Sequence, residues 1–171
     1  MSFRWSSTFT LTLPTDREIL ITRQFAAPRR LMFEVMSQPE HLAQWWGPRS
    51  LQLVECQVDF RVGGSYRYVL RAPDGREFGF RGEYREIVAD QKVVSTFEFD
   101  GTAGHGSIET MTLDVVDGIT TLSVRCLYRC REDRDAHLNS GMESGARESH
   151  DRLELLIDSI SASLDGSPQP A

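Results

Sequence analysis

Ser140-Gly141-Met142-Glu143-Ser144-Gly145-Ala146-Arg147-Glu148-Ser149-His150-Asp151-Arg152-Leu153-Glu154-Leu155-Leu156-Ile157-Asp158-Ser159-Ile160-Ser161-Ala162-Ser163-Leu164 is the stretch on which the fold turns. Its apolar residues share one stripe: Met142, Ala146, Ser149 or His150, Leu153, Leu156 with Ile157, Ile160 and Leu164. That spacing is helical, since residues three and four apart lie on the same side of an α-helix. Ser140 and Glu143 fit a capping box, and Gly166 and Pro168 supply the stop. A helix of about 25 residues with one apolar stripe must bury it against a second layer.

The residues before it say what that layer is. From Leu51 to Arg129 the period changes to two: Val54, Cys56, Val58 and Phe60 alternate with Glu55, Gln57 and Asp59. The same alternation carries Tyr66, Tyr68 and Leu70, then Phe78, Phe80 and Tyr84, then Ser95, Phe97 and Phe99. Met111, Leu113 and Val115, followed by Leu122, Val124, Cys126 and Tyr128, complete it. One apolar and one charged face predict an antiparallel sheet with a wet side. Pro73-Asp74-Gly75 and Asp117-Gly118 are hairpin signals, and Gly63-Gly64 and Gly101–Gly106 mark two more turns. About six strands in a meander follow from these breaks.

Upstream, Thr8–Phe25 suits strands, Pro28 opens a helix over Arg29–Ser37, and Pro39 opens a shorter one through Gln44 that stops at Trp45-Trp46-Gly47-Pro48. The expected architecture is α+β. A curved antiparallel sheet of about seven strands surrounds a long C-terminal helix, with two short helices after the first strand. The 171 residues make one domain with its core over about 8–164, and residues 1–7 and 165–171 are expected to be loose.

Hydrophobic residues at 40% and charged residues at 26% belong to a folded globular chain. A net charge of −6 with scattered arginines argues against nucleic acid as a partner. No run of 18 apolar residues and no signal-peptide pattern occurs, so a cytoplasmic protein without membrane attachment is expected. Three cysteines fit a reducing compartment. Cys126 and Cys130 read as one strand, which would hold their Cα atoms about 13 Å apart and forbid a disulfide.

Several motifs occur in fixed order: Thr12–Glu18, Phe25-Ala26-Ala27-Pro28-Arg29, Pro39-Glu40-His41-Leu42 and Trp45-Trp46-Gly47-Pro48. Asp59–Gly64, Pro73-Asp74-Gly75, Gly82–Val88, Ser140-Gly141-Met142-Glu143 and Asp151-Arg152-Leu153 follow. From about Thr8 to Leu156 the chain thereby resembles the bacterial proteins similar to the C-terminal domain of the activator of heat-shock protein 90 ATPase. These belong to the START-like (SRPBCC) superfamily. The resemblance implies the helix-grip fold, which the periodicities reach independently. It implies three classes of function. The first is a non-enzymatic domain holding a small, largely hydrophobic molecule between sheet and helix. The second is a co-chaperone of the stress response that binds heat-shock protein 90 and stimulates its ATPase. The third is a cyclase- or hydrolase-like enzyme, for which His150 is the best acid or base. A monomer or homodimer fits all three.

Cavity candidates under the first class are Trp46, Tyr66, Tyr68, Phe80, Tyr84, Phe97, Met111, Met142, Ala146, His150 and Leu153. The chain departs from the resemblance twice. Many relatives carry a bulky residue, often Trp, where Ala146 stands, and an apolar one, often Leu, where His150 stands. Ala146 would leave space, and His150 would place beside it an imidazole needing a partner: the hydroxyl of Tyr66 or Tyr84, a water, or a ligand atom. Three placements stay open. His150 either faces the cavity or lies at the stripe's edge. Trp45 and Trp46 either form a pocket mouth or pack as a plug. Glu109 shares a face with Met111 and Leu113, and either points inward or reaches solvent at a strand end. No catalytic residue, cofactor or metal is expected. His41, His105, His137 and His150 fall on separate elements without ligand spacing, Gly101–Gly106 opens no helix, and Glu143 stands where a nucleophile elbow needs serine.

Overall fold

The computed structural model describes residues 8–166. Eight strands form one antiparallel sheet: β1 (Thr10–Thr12), β2 (Glu18–Phe25), β3 (Gln52–Val58), β4 (Ser65–Arg71), β5 (Glu77–Val88), β6 (Lys92–Phe99), β7 (Ser107–Val116) and β8 (Ile119–Tyr128). Their order across the sheet is β1-β2-β8-β7-β6-β5-β4-β3. The N-terminal pair therefore adds to the far side of the meander. The expected seven strands are eight, because Pro14 divides the first stretch into β1 and β2. Asp117 and Gly118 both take positive φ (50° and 77°), as a tight β7–β8 hairpin needs. Register shifts at Leu53/Glu55 and Tyr84/Glu86 interrupt the ladders where the sheet curves.

Between β2 and β3 lie α1 (Arg29–Ser37) and α2 (Pro39–Trp45). The chain ends with α3 (Arg131–Leu138) and the long α4 (Met142–Asp165). Leu153 and Ile157 of α4 join Met32, Val35, Leu42, Trp45, Leu113 and Leu122 in the main core. A second cluster of Phe9, Ile19, Ile21, Cys126 and Tyr128 receives Met142 and Ala146. No described helix is long and apolar enough to cross a membrane.

Four expectations need correction. Helix α3 was not expected, because its residues carry no apolar stripe. Its Asp133 and Arg134 are nevertheless buried. The strand ends at Tyr128, so Cys130 does not share it with Cys126 but stands at the N-cap of α3, and all three thiols are free. The capping box does not form: Gly141 is the N-cap, at φ 86°, and the Ser140 hydroxyl donates instead to the His137 carbonyl. That positive φ suits glycine, and it turns the chain sharply from α3 into α4. Finally, the buried stripe stops short of Leu164, which is 69% exposed. Of the ends expected to be loose, 1–7 and 165–171, Asp165 still belongs to α4, while Pro168 and the rest apart from Gly166 lie outside the described residues.

Candidate functional site

The space between sheet and α4 is not filled. A cavity of about 330 Å³ remains, walled by β4–β8, the α2–β3 turn and the first turns of α4. One side of it is aromatic. Tyr66 stacks on Tyr68 with ring centres 5.0 Å apart, and Trp46 lies 4.7 Å from Tyr68 and 5.2 Å from Phe80. Phe97 stacks on Phe80 at 5.6 Å, and Tyr84 leans on Tyr66 at 5.4 Å. Gly82 makes this possible. A Cβ there would sit 2.5 Å from the Tyr66 ring, whose hydroxyl donates to the Thr96 carbonyl at 2.6 Å.

Both tryptophans line the cavity and both pack on the main core, but their contacts differ. Trp45 packs as core and donates its indole N–H to the Val35 carbonyl at 2.9 Å, tying α2 to α1. Trp46 turns to the aromatic wall. Gly47 follows at φ 92°, and α4 grips this turn directly: the Gly47 N–H donates to the Ser149 hydroxyl, and Arg152 donates to the carbonyls of Gly47 and Gln44.

The α4 side of the cavity is thin. Met142, Gly145, Ala146, Ser149 and His150 line it. Leu153, expected on the wall, is instead fully buried in the core one turn further along. The other cavity candidates, from Trp46 through Met111 to His150, all line the space. Gly145 was not expected there, and a Cβ on it would meet nothing within 4 Å. Gly145→Ala is therefore expected to stabilise the protein by about 0.5–1 kcal/mol, the helix-propensity difference without a steric cost. A higher urea midpoint checks this, and a lower one would mean that the space beside α4 is not there.

His150 is buried and faces the cavity. Phe9 and Phe25 meet its ring edge-on at 5.5 and 6.3 Å. Neither Tyr66 nor Tyr84 serves it: among the described residues its Nδ1 has no hydrogen-bond partner. Burial, helped by the nearby Arg23 charge, lowers its pKa to about 4, so the imidazole is neutral at pH 7.

Glu109 is the residue that sequence reasoning undervalued. It stands on β7 opposite Ser95 and Cys126, and its carboxyl points inward. It is partly buried and lines the cavity. Among the described residues its one close partner is the Cys126 thiol, which donates to Oε1 at 3.5 Å. Burial raises the carboxyl pKa to about 7 and pushes the Cys126 thiol well up. No lysine or arginine lines the cavity among the described residues. His137, from the unexpected α3, closes the wall beside Phe97 and hydrogen-bonds through Nδ1 to the Tyr128 hydroxyl. No group of His, Cys, Asp and Glu among the described residues could hold a metal ion.

An open antiparallel sheet gripping a C-terminal helix around a cavity narrows the family, and the sequence completes it. Residues 26–158 match the model of the family described as activator of Hsp90 ATPase homolog 1-like protein. The chain belongs to that family. No curated protein matches the sequence. Among solved structures it is similar to a protein from Rhodobacter sphaeroides, with a TM-score of 0.83 and 24% identity over 88% of this chain and 98% of that one. A Mycobacterium smegmatis protein gives 0.79 and 23%, covering 89% and 97%. The AHSA1 protein of Silicibacter pomeroyi gives 0.69 and 23%, covering 82% and 97%. At these identities the structural likeness shows the fold, which is the helix-grip fold expected from the sequence.

Proposed function

We propose that this protein is a binding domain, not an enzyme, and that it holds one small, largely apolar molecule in the cavity between the sheet and α4. The observation that carries this reading is the cavity itself. Well-packed cores leave few voids larger than a water, whereas this space is aromatic-walled and has only a few polar groups, Glu109 and His150 among them, facing inward. Apolar walls with a small number of placed polar atoms are the usual make-up of a ligand site. Cys126 is no ready nucleophile, because burial keeps its thiol protonated. The family description supports a second reading, contact with a heat-shock protein 90 chaperone.

Diphenylhexatriene, a neutral apolar probe that fluoresces only out of water, tests the first reading. Saturable binding of one probe per chain is expected, together with a small molecule retained in native mass spectra of protein from its own host. Probe fluorescence that never saturates would count against the cavity. Chaperone pull-down with and without the probe bound separates the second reading.

A further inference from the structure

We infer that the ligand carries a basic amine on its apolar body, held by the Glu109 carboxylate and by the faces of the surrounding aromatic rings. This rests on the cavity being the binding site. The electrostatic sign of the wall selects the class. Trp46, Tyr66, Tyr68, Phe80 and Phe97 give the cavity an aromatic lining, and ring faces are electron-rich. Glu109 adds a carboxyl with no cationic partner among the described lining residues. Arg23, the buried cation whose charge acts on His150, is already paired with Asp151 and Glu154 at 2.6 and 2.8 Å.

An ammonium group gains from both features at once. An alcohol can hydrogen-bond to Glu109 but gains nothing from the ring faces, and a carboxylate meets repulsion from each. His150, also buried, lines the same space and adds a second polar side chain beside it. Burying a carboxyl with only a thiol as its close partner and no cation beside it is costly, so a site that keeps one has a use for it when filled.

The pH dependence follows from the groups facing Glu109. Burial holds the hydroxyls of Tyr66 on β4 and Tyr84 on β5 protonated, and likewise the Cys126 thiol and Tyr128 on β8. Ser95 on β6 does not titrate. His137 on α3 and His150 on α4 have lowered pKa values, so neither gains charge near neutrality. Glu109 is left as the group that titrates near pH 7. At pH 5.5 only a few per cent of it is ionised, which weakens amine binding about 15-fold or more relative to pH 8.

Calorimetric titration with tryptamine, tryptophol and indole-3-propionic acid tests the inference, since the three share one ring system and differ at its end. Tryptamine is expected to bind at least about tenfold tighter than tryptophol at pH 8, with the acid weakest. That advantage should fall at pH 5.5, while tryptophol is unaffected, and Glu109→Gln should remove it. Should Glu109→Gln fail to fold, the pH comparison on the unaltered chain decides. Equal binding of amine and alcohol, tightest binding of the acid, or failure of all three while diphenylhexatriene still binds would overturn the amine inference and leave the cavity reading intact. Failure of all three and of diphenylhexatriene would overturn the cavity reading itself.

Discussion

Replacing both Asp151 and Glu154 by alanine is expected to cost on the order of 3 kcal/mol or more, a large effect for two half-exposed side chains. The reason lies on the opposite element. Arg23 follows Ile19 and Ile21 on the inward face of β2, and is itself only 2% exposed. Its guanidinium sits 5.3 Å from the Phe25 ring centre and reaches Asp151 and Glu154 on α4. Arginine does not shed its charge when buried, so removing both carboxylates strands a cation. Each single substitution leaves one partner and should cost about 1 kcal/mol. Arg23→Met, which removes the charge and keeps the stem, should be close to neutral. Urea unfolding of the four variants measures this. A double variant within 1 kcal/mol of the parent would show that the clamp does not hold α4.

Glu109→Gln and His150→Leu should change stability with opposite pH slopes, each by up to about 3 kcal/mol. Glu109 has its pKa raised from 4.5 to about 7. The folded state therefore holds that proton more tightly, and the resulting stability is complete below about pH 4.5 and gone above about 7. His150 has its pKa lowered from 6.5 to about 4. The folded state then resists protonation, and stability falls as the pH drops from about 6.5 to 4. In the parent the two terms largely cancel. Relative to the parent, Glu109→Gln should gain as pH rises from 4.5 to 7, and His150→Leu should gain as pH falls from 6.5 to 4. Melting temperatures across pH 4–8 read both slopes. Parallel curves for all three proteins would mean that neither group titrates from a buried position.

The two periodicities in the sequence carried the architecture, because burying one face imposes a period of two on strands and about 3.6 on helices. They failed where a residue's role is not its polarity. Arg23 occupies an inward slot among Ile19, Ile21 and Phe25, and only its partners on α4, 128 and 131 residues away, explain it. Helix α3 has no stripe to read. Its signals are Glu132 and Asp133 in the first turn, which complement the helix dipole. For Glu109 alternation gave the correct face but says nothing of depth along the strand. Ser149 and His150 were alternatives on paper, yet both are buried, because α4 is enclosed over more than a narrow stripe. Gly145 escaped notice because open space beside a helix leaves no pattern in the residues that fail to fill it.

Ala146 packs on the second core cluster and lines the cavity, so a large side chain there would occupy the ligand's place. The most direct measurement is the diphenylhexatriene titration repeated on Ala146→Trp, with Gly145→Phe as a second filling from the neighbouring position. Both variants are expected to keep a cooperative thermal transition and to lose at least about 100-fold in affinity, because a filled cavity has no apolar surface left to bury. Folded variants that bind the probe as tightly as the parent would contradict the account, and would place the site somewhere other than between the sheet and α4.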